Sequence, residues 1–404
     1  LIQFSEQKDV SQSLGHFMEA ISVHMGFGRN GVGKVMGLAG YGKPTYKIDT
    51  INLDNNDYEI KLKISNANDS RESYRKIIAM WKMVLTGICP PNQAIMDTNL
   101  IHPNSTLFNP LSDTYKNLAS TAQYYITECV LNLCKKALKY ANSKNLILSG
   151  GVALNCSTNG AILRSGIAES IHVAPASGDS GTALGAAIVA GSNYNTKNIH
   201  SPFLGPSFSN DIIRTQLKYF GIKYSEPENI EKSIATELSN SKIVARFTGR
   251  MEIGPRALGN RSIHSLGNSI NLKNRINHIK SREYWRPLAP AILSESILDF
   301  VSEKHCSKYM LFAMTPTDLA RSHIQGAIHI DNTFRVQEVT QSDNEEFHKL
   351  LKATQYESGT PAMLNTSFNN WREPIVCSPE DAIRTFYGSG IDVLQIGSFI
   401  IKKQ

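Results

Sequence analysis

Asn145-Leu146-Ile147-Leu148-Ser149-Gly150-Gly151-Val152-Ala153-Leu154-Asn155-Cys156 reads as a short apolar strand, a glycine pair and the opening of a helix. The pattern returns at once. Ser170–Ala174 is a second strand candidate, Pro175-Ala176-Ser177-Gly178-Asp179-Ser180-Gly181 a turn, and Thr182–Ala190 a small-residue helix. Strand, glycine turn and helix in repetition make an α/β unit, with ligand-facing turns expected at the strand ends.

On the amino-terminal side, residues 9–27 place Leu14, Phe17, Met18, Ile21 and Met25 on one helical face. Lys34–Pro44 holds three glycines and reads as a turn-rich loop. Residues 48–65 alternate around Asp54-Asn55-Asn56-Asp57 and suggest a hairpin. Residues 66–113 carry little pattern, and a long amphipathic helix is expected over 114–141. On the carboxy-terminal side, His200-Ser201-Pro202-Phe203-Leu204-Gly205-Pro206-Ser207 punctuates the chain, so a domain boundary is placed between 203 and 204. Beyond it the expected elements are a helix at 229–239, a strand at 242–247 and a helix at 272–280. Strand candidates follow at 309–314, 334–339 and 362–367, then a helix at 379–388 capped by Ser378, and a final strand at 392–402. Mixed α+β is the expectation for this part.

The 404 residues suit two domains better than one core. No run of about 18 apolar residues offers a membrane span. The net charge of +7 is mild for this length and is not gathered into a stripe suited to nucleic acid. None of the six cysteines forms a C-x-x-C pair, so free and mostly buried thiols are expected, and with them a cytoplasmic setting. The first residues lack the basic start and apolar core of a signal peptide, and the chain begins at Leu1 rather than Met, which suggests a fragment or processed product.

Four constellations could carry chemistry. Gly150-Gly151 before Asn155 opens a helix N-terminus toward a phosphate or nucleoside, or simply makes a tight turn. Asp179, flanked by Gly178 and Gly181, suits a metal ligand or a helix cap. Gly249-Arg250-Met251-Glu252-Ile253-Gly254-Pro255-Arg256-Ala257-Leu258-Gly259-Asn260-Arg261-Ser262 is built to hold an anion. Its glycines admit close backbone approach and its arginines offer planar forks of donors. Lys280, Arg282 and Arg286 form a second basic cluster beside Tyr284 and Trp285, and Arg246 precedes the loop. The two clusters suggest a pocket for a multiply charged anion with a flat group, or a salt-bridge network with Glu252 and Glu283. Leu364-Asn365-Thr366-Ser367-Phe368-Asn369 ends a strand in amide and hydroxyl groups suited to a carbonyl or amide. His16 and His24 are not at i, i+4 spacing and do not read as a metal pair, while His329 stands beside Asp331, Thr333 and Arg335.

Six stretches in order, Lys34–Pro44, Gly150–Cys156, Ser177–Ala187, Gly249–Ser262, Lys280–Pro290 and Leu364–Asp381, resemble the motifs of O-carbamoyltransferases of the nodulation and antibiotic-tailoring type. The resemblance covers nearly the whole chain. It implies a first domain, 1–203, resembling the threonylcarbamoyl transferase fold of the actin-like ATPases. It implies a second, 204–404, resembling threonylcarbamoyl-adenylate synthase. ATP and carbamoyl phosphate would give carbamoyl-adenylate in the second domain. The first would pass the carbamoyl group to a hydroxyl of a small molecule.

By the same resemblance Lys280, Arg256 and Arg286 serve the chemical step. Arg250, Arg261, Arg282, Asn365 and Ser367 hold donor and nucleotide, and Gly150, Gly151 and Asn155 form a nucleotide-facing turn. Asp179 matches a ligand of a divalent transition metal such as Fe2+, and Mg2+ accompanies ATP. The family's phosphate-handling segment and histidine pair find no counterpart here. The resemblance therefore implies a whole activating domain and a partial transfer domain, with acceptor transfer impaired unless another chain supplies the segment. A homodimer is among the assemblies it allows. The rival readings are a sugar-kinase-like phosphotransferase, which leaves the arginine loop unexplained, and a nucleotide-binding protein with a degenerate first domain. The acceptor is not named by any motif.

Overall fold

The computed structural model describes residues 9–54, 57–62, 69–92, 112–191, 201–305, 307–371 and 373–403. The expectations on 1–8, Cys306 and Arg372 lie outside the described residues, as do 66–68 and 93–111 of the unpatterned stretch 66–113. The chain divides into two compact units, Leu1–Val173 and Ala174–Gln404. The division falls ahead of the proline- and glycine-rich run at 200–207.

In the first unit, Ser13 caps α1 (Leu14–His24) by accepting the His16 N–H at 3.2 Å, and Leu14, Phe17, Met18 and Ile21 face inward as their spacing predicts. Lys34–Pro44 is not all loop: α2 (Val32–Ala39) occupies its first half and buries Val35, Leu38 and Ala39. Gly42 serves close approach, because a Cβ there would lie 2.1 Å from the Lys116 carbonyl oxygen. The expected hairpin is present as β1 (Ile51–Asp54) and β2 (Asp57–Ile60), with Ile51 opposite Ile60. The stretch that reads as unpatterned contains α3 (Ser70–Ile88), capped by Asp69. Only Ile77, Trp81 and Leu85 are fully buried on it, a single stripe at four-residue steps in a charged background, which is why its periodicity is faint. Trp81 meets Phe17 of α1 at 4.9 Å between ring centroids. The long helix α4 (Asp113–Ala141) ends at Asn142 in the left-handed region, φ 45°. β3 (Asn145–Leu148) and β4 (Ser170–Val173) pair in parallel across a 3-10 turn, Gly151–Leu154, and α5 (Cys156–Ser165).

The second unit opens with α6 (Ser180–Ala190), α7 (Asn210–Tyr219) and α8 (Ile230–Ser239). Its centre is a seven-stranded mixed sheet. In chain order the strands are β5 (Val244–Phe247), β6 (Arg261–Ser265), β7 (Ala289–Leu293), β10 (Gln337–Val339), β11 (Ala362–Ser367), β12 (Val393–Ile396) and β13 (Phe399–Lys402). In space they run β10-β7-β11-β6-β5-β12-β13, with β10–β7 and β12–β5 parallel and the other pairs antiparallel. Between β6 and β7 lies α9 (Ile270–Ile279), and α10 (Glu345–Ser358) and α11 (Pro379–Tyr387) flank β11 in sequence. A side pair, β8 (Ala313–Met314) with β9 (Phe334–Arg335), completes the set.

Several sequence expectations change here. β6 and β7 were not anticipated. All five residues of β6 are buried although Arg261, Ser262, His264 and Ser265 are polar, so no apolar run announces the strand. The strand expected over 334–339 is split between β9 and β10, and that over 392–402 folds back at Gly397, φ 56°. The Ser378 cap holds, and Asp381 completes a capping box. The core between α8, α10 and the sheet gathers Ile234, Leu238, Val244, Ala291, Leu293, Phe347, Leu350 and Met363. Each fully buried Leu, Ile or Phe contributes roughly 1.5–3 kcal/mol. This burial holds a sheet whose middle strand is polar.

Candidate functional site

Register places three of the expected stretches at one edge of the sheet. Phe247 opposes Arg261, Ser262 opposes Ser367, and Ala289 opposes Asn365. The carboxyl end of β5, the carboxyl end of β11 and the approach to β7 therefore emerge together. From them come the glycine–arginine loop, the Ser367–Asn369 turn and the Lys280–Pro287 segment. The carboxyl ends of strands are where ligands gather in open α/β sheets.

Lys280 follows α9 directly and is buried. Its ammonium donates to the Ser367 carbonyl, to the Asn369 carbonyl at 2.9 Å and to the Asn369 Oδ1 at 2.8 Å. The chain then turns at Ser281, φ 46°, and Asn277 steadies it by donating to the carbonyls of Tyr284 (3.3 Å) and Arg286 (3.0 Å). Arg282 donates to the Thr366 hydroxyl at 3.3 Å, and Arg286 lies 3.8 Å from the buried Glu283. Trp285 is 1% exposed and belongs to the core, whereas Tyr284 is 60% exposed, so the two aromatics do not form one wall.

The electrostatics of this cluster are lopsided. Burial pushes Arg282 well below its ordinary proton affinity, and Arg286, Arg335 and Arg256 push the same way against Glu283. Burial also lowers Arg286, with Arg335 adding to it against Glu283. Burial, Arg282 and Arg286 together lower Lys280. Guanidinium keeps its proton at neutral pH, so the crowding stands as a positive potential that a bound anion relieves. Arg335 on β9 was not a sequence candidate for this cluster. The segment Phe334-Arg335-Val336 sets one guanidinium between apolar neighbours, the signal that could have singled it out. Asn369 is a second addition, through its contacts with Lys280.

Other candidates are held differently. Arg261 is fully buried and lies 3.8 Å above the Phe247 ring. Its terminal nitrogens donate to the carbonyls of Thr248, Asn260, Pro206 and Gly249. Arg246 likewise donates to Gly259 O (2.6 Å) and Gln395 Oε1 (3.3 Å), and pairs with Glu346 at 3.3 Å. Arg250 is exposed and donates to the carbonyls of Leu204 and Gly205. Asn365 is buried, and its amide donates to Ala257 O at 3.2 Å and Gln337 Oε1 at 2.7 Å, bracing the loop from beneath. Ser367 donates to Asn369 Oδ1 at 2.7 Å.

In the first unit Gly150 has φ 97°, and among the described residues nothing beyond the chain neighbours lies within 4 Å of where a Cβ would sit on it or on Gly151. The glycine pair is thus an exposed turn with open space before it. Asn155 caps α5 through the Thr158 N–H at 3.1 Å and exchanges hydrogen bonds with Gln123. In the second unit Asp179 is exposed and its carboxylate makes no cap bond to α6. Among the described residues no group of three or more His, Cys, Asp or Glu side chains is assembled to hold a metal. Asp179 alone does not make a donor set. Cys89, Cys129, Cys134 and Cys156 are buried, and Cys377 is exposed. No described helix is long and apolar enough to cross a membrane.

Residues 1–188 match the family described as carbamoyltransferase N-terminus, and residues 235–403 match carbamoyltransferase C-terminus. An uncharacterised protein of Synechocystis sp. is 33% identical over 97% of this chain and 67% of its own length. Nodulation protein NolNO of Sinorhizobium fredii is 32% identical over 98% of this chain and 56% of its own. Nodulation protein NolO of Bradyrhizobium diazoefficiens is 33% identical over 73% of this chain and 56% of its own. The chain belongs to the carbamoyltransferase family. It spans between about half and two thirds of the length of these relatives.

Proposed function

We propose that the chain serves ATP-dependent O-carbamoyl transfer, with carbamoyl-adenylate made at the arginine cluster of the second unit. The observation that carries this reading is the crowding of Arg256, Arg286 and Arg335 about Arg282, with Arg282 and Arg286 also beside buried Lys280. Two polyanions, ATP and carbamoyl phosphate, repel each other, and a preorganised positive site offsets that repulsion. Water attacks the phosphorus of carbamoyl phosphate, releasing inorganic phosphate and carbamate, and the carbamate oxygen then attacks the α-phosphorus of ATP as pyrophosphate leaves. In this reading Arg282, Arg286 and Arg335 hold phosphoryl oxygens. Arg256 closes over them, and Lys280 fixes the Ser367–Asn369 turn against the reacting groups. Magnesium bound with ATP would neutralise further phosphate charge.

In this reading the basic residues divide into two groups. We assign Arg246 and Arg261 to the scaffold, since their terminal nitrogens already donate to carbonyl and carboxylate oxygens. The mixed sheet is consistent with an adenylate-synthase-like domain. The repeated strand, glycine turn and helix are consistent with an actin-like transfer domain, whose exposed Gly150-Gly151 turn would face nucleotide. The acceptor is proposed to be a small molecule bearing a hydroxyl. Two of the relatives named above are nodulation proteins. A transition metal would need ligands beyond Asp179, so no step is assigned to one.

The test is pyrophosphate release from ATP with magnesium, with and without carbamoyl phosphate. Release that requires carbamoyl phosphate is expected. Consumption of ATP with a sugar and without carbamoyl phosphate would replace this reading with a phosphotransferase.

A further inference from the structure

Glu252 is the single acidic residue of the glycine–arginine loop, and it is 5% exposed. Its Oε1 accepts three backbone N–H groups, from Leu258 at 2.7 Å, Asn260 at 2.8 Å and Arg261 at 3.2 Å. Its Oε2 is buried without a hydrogen-bond partner. Among the described residues no ion pair within 4 Å joins it, although its charge supports the protonated forms of Arg246 and Arg261. The carboxylate is thus an internal anion for a concave run of backbone donors, at the point where the loop becomes β6.

The covalent path makes this consequential. The bond from Glu252 to Leu258 closes a ring of chain that contains Gly254, Pro255 and Arg256. The far side of that ring is braced separately, by Asn365 on Ala257 O and Gln337 on Leu258 O. With both anchors in place, Arg256 issues from a closed turn. Without the carboxylate, three buried N–H groups lose their acceptor together, and the near anchor is gone.

We propose that Glu252 is a positioning residue: it closes the 252–258 turn so that Arg256 is held against Arg282, Arg286 and Arg335, and it does so without touching the ligand. The gain is preorganisation, since an arginine fixed in place loses less freedom when an anion arrives. The inference rests on the reading of the arginine cluster as an anion site.

The test uses the full chain with Glu252→Gln, Glu252→Asp and Glu252→Ala. Amide hydrogen exchange is followed at Leu258, Asn260 and Arg261, and inorganic pyrophosphate binding is measured by calorimetry. The amide oxygen of Gln still accepts, so Glu252→Gln should keep most of the protection. Asp falls one methylene short, so Glu252→Asp and Glu252→Ala should exchange these amides at least tenfold faster and bind pyrophosphate about tenfold more weakly. If the effect runs through Arg256, Glu252→Asp should weaken binding no further on an Arg256→Ala background. Should Glu252→Ala not fold, the Asp and Gln pair carries the comparison. Unchanged exchange in Glu252→Asp overturns the proposal, as does faster exchange with unchanged pyrophosphate affinity. Wild-type chain that binds no pyrophosphate, while the amides still loosen in Glu252→Asp, refutes both the anion site and the positioning role, leaving Glu252 only as a loop tie.

Discussion

Replacing Lys280 by methionine should separate what this residue does for the fold from what it does for the reaction. Methionine keeps an unbranched apolar stem of similar reach and removes the charge. Four acceptor atoms on Ser367 and Asn369 then lose the ammonium: Ser367 O, Asn369 O, Asn369 Oδ1 and, at 3.4 Å, Ser367 Oγ. Hydrogen bonds to a charged donor are worth about 1.5–3 kcal/mol, and a buried acceptor left alone adds to the loss. Two terms lessen it. Ser367 and Asn369 are half-buried, so water can reach part of the turn. The desolvated ammonium beside Arg282 and Arg286 is also relieved, as its lowered proton affinity indicates. A net loss of about 2–3 kcal/mol follows, or roughly 5–10 °C in the melting temperature of a unit this size. The chemical effect should be larger. A misplaced Ser367–Asn369 turn and a missing positive charge should lower carbamoyl-phosphate-dependent pyrophosphate release about 100-fold or more. Both are read on one preparation, by thermal melting and by coupled pyrophosphate release at saturating ATP. A variant that melts lower but keeps wild-type release would refute the argument, because it would make Lys280 a structural tie alone.

Three further outcomes are expected. Gly259 has φ 119°, and a Cβ there would lie 2.5 Å from Phe347 Cδ1, so Gly259→Ala should destabilise by about 2 kcal/mol or more in urea melts. His264 is fully buried, and burial with Arg246 nearby lowers its pKa to about 3. The unfolded chain, near 6.5, binds the extra proton between those values, so stability should fall as pH drops from about 6.5 toward 3, by up to ~4–5 kcal/mol. A His264→Gln variant that folds should show a flatter acid limb by circular dichroism, and an identical limb would remove the assignment. Finally, Arg256→Ala should leave the melting temperature nearly unchanged while abolishing pyrophosphate release, whereas Arg261→Lys should melt several degrees lower through loss of its carbonyl contacts. The reverse pattern would invert the division between site and scaffold.

The elements legible in the sequence are those whose own pattern suffices. Leu14, Phe17, Met18 and Ile21 announce α1, and Ser378 with Asp381 announces the start of α11. Illegible ones take their stability from elsewhere. α3 shows one narrow stripe, and α2 lies in a glycine-rich stretch whose Gly31 and Gly42, on either side of the helix, serve close approach. β6 is polar along its length because its residues meet carbonyls, other side chains and strand neighbours inside the protein. At the site the sequence names the residue types, but types do not tell an arginine that faces a ligand from one that holds a turn.

What the sequence determined by itself is therefore the α/β character, the family, and the three stretches that carry the basic residues. Local propensity and residue spacing are enough for the α/β character and the basic stretches, because neighbouring residues decide them, while the family follows from the resemblance of six ordered motifs. Only the tertiary structure decided that those stretches share one sheet edge. It also set Arg261 and Arg246 inside, met by carbonyl and carboxylate oxygens, and brought Arg335, well apart in the chain, beside Arg282 and Arg286. Strand register fixes which distant residues meet. Burial fixes which donors already have partners, and neither quantity is a property of any short segment.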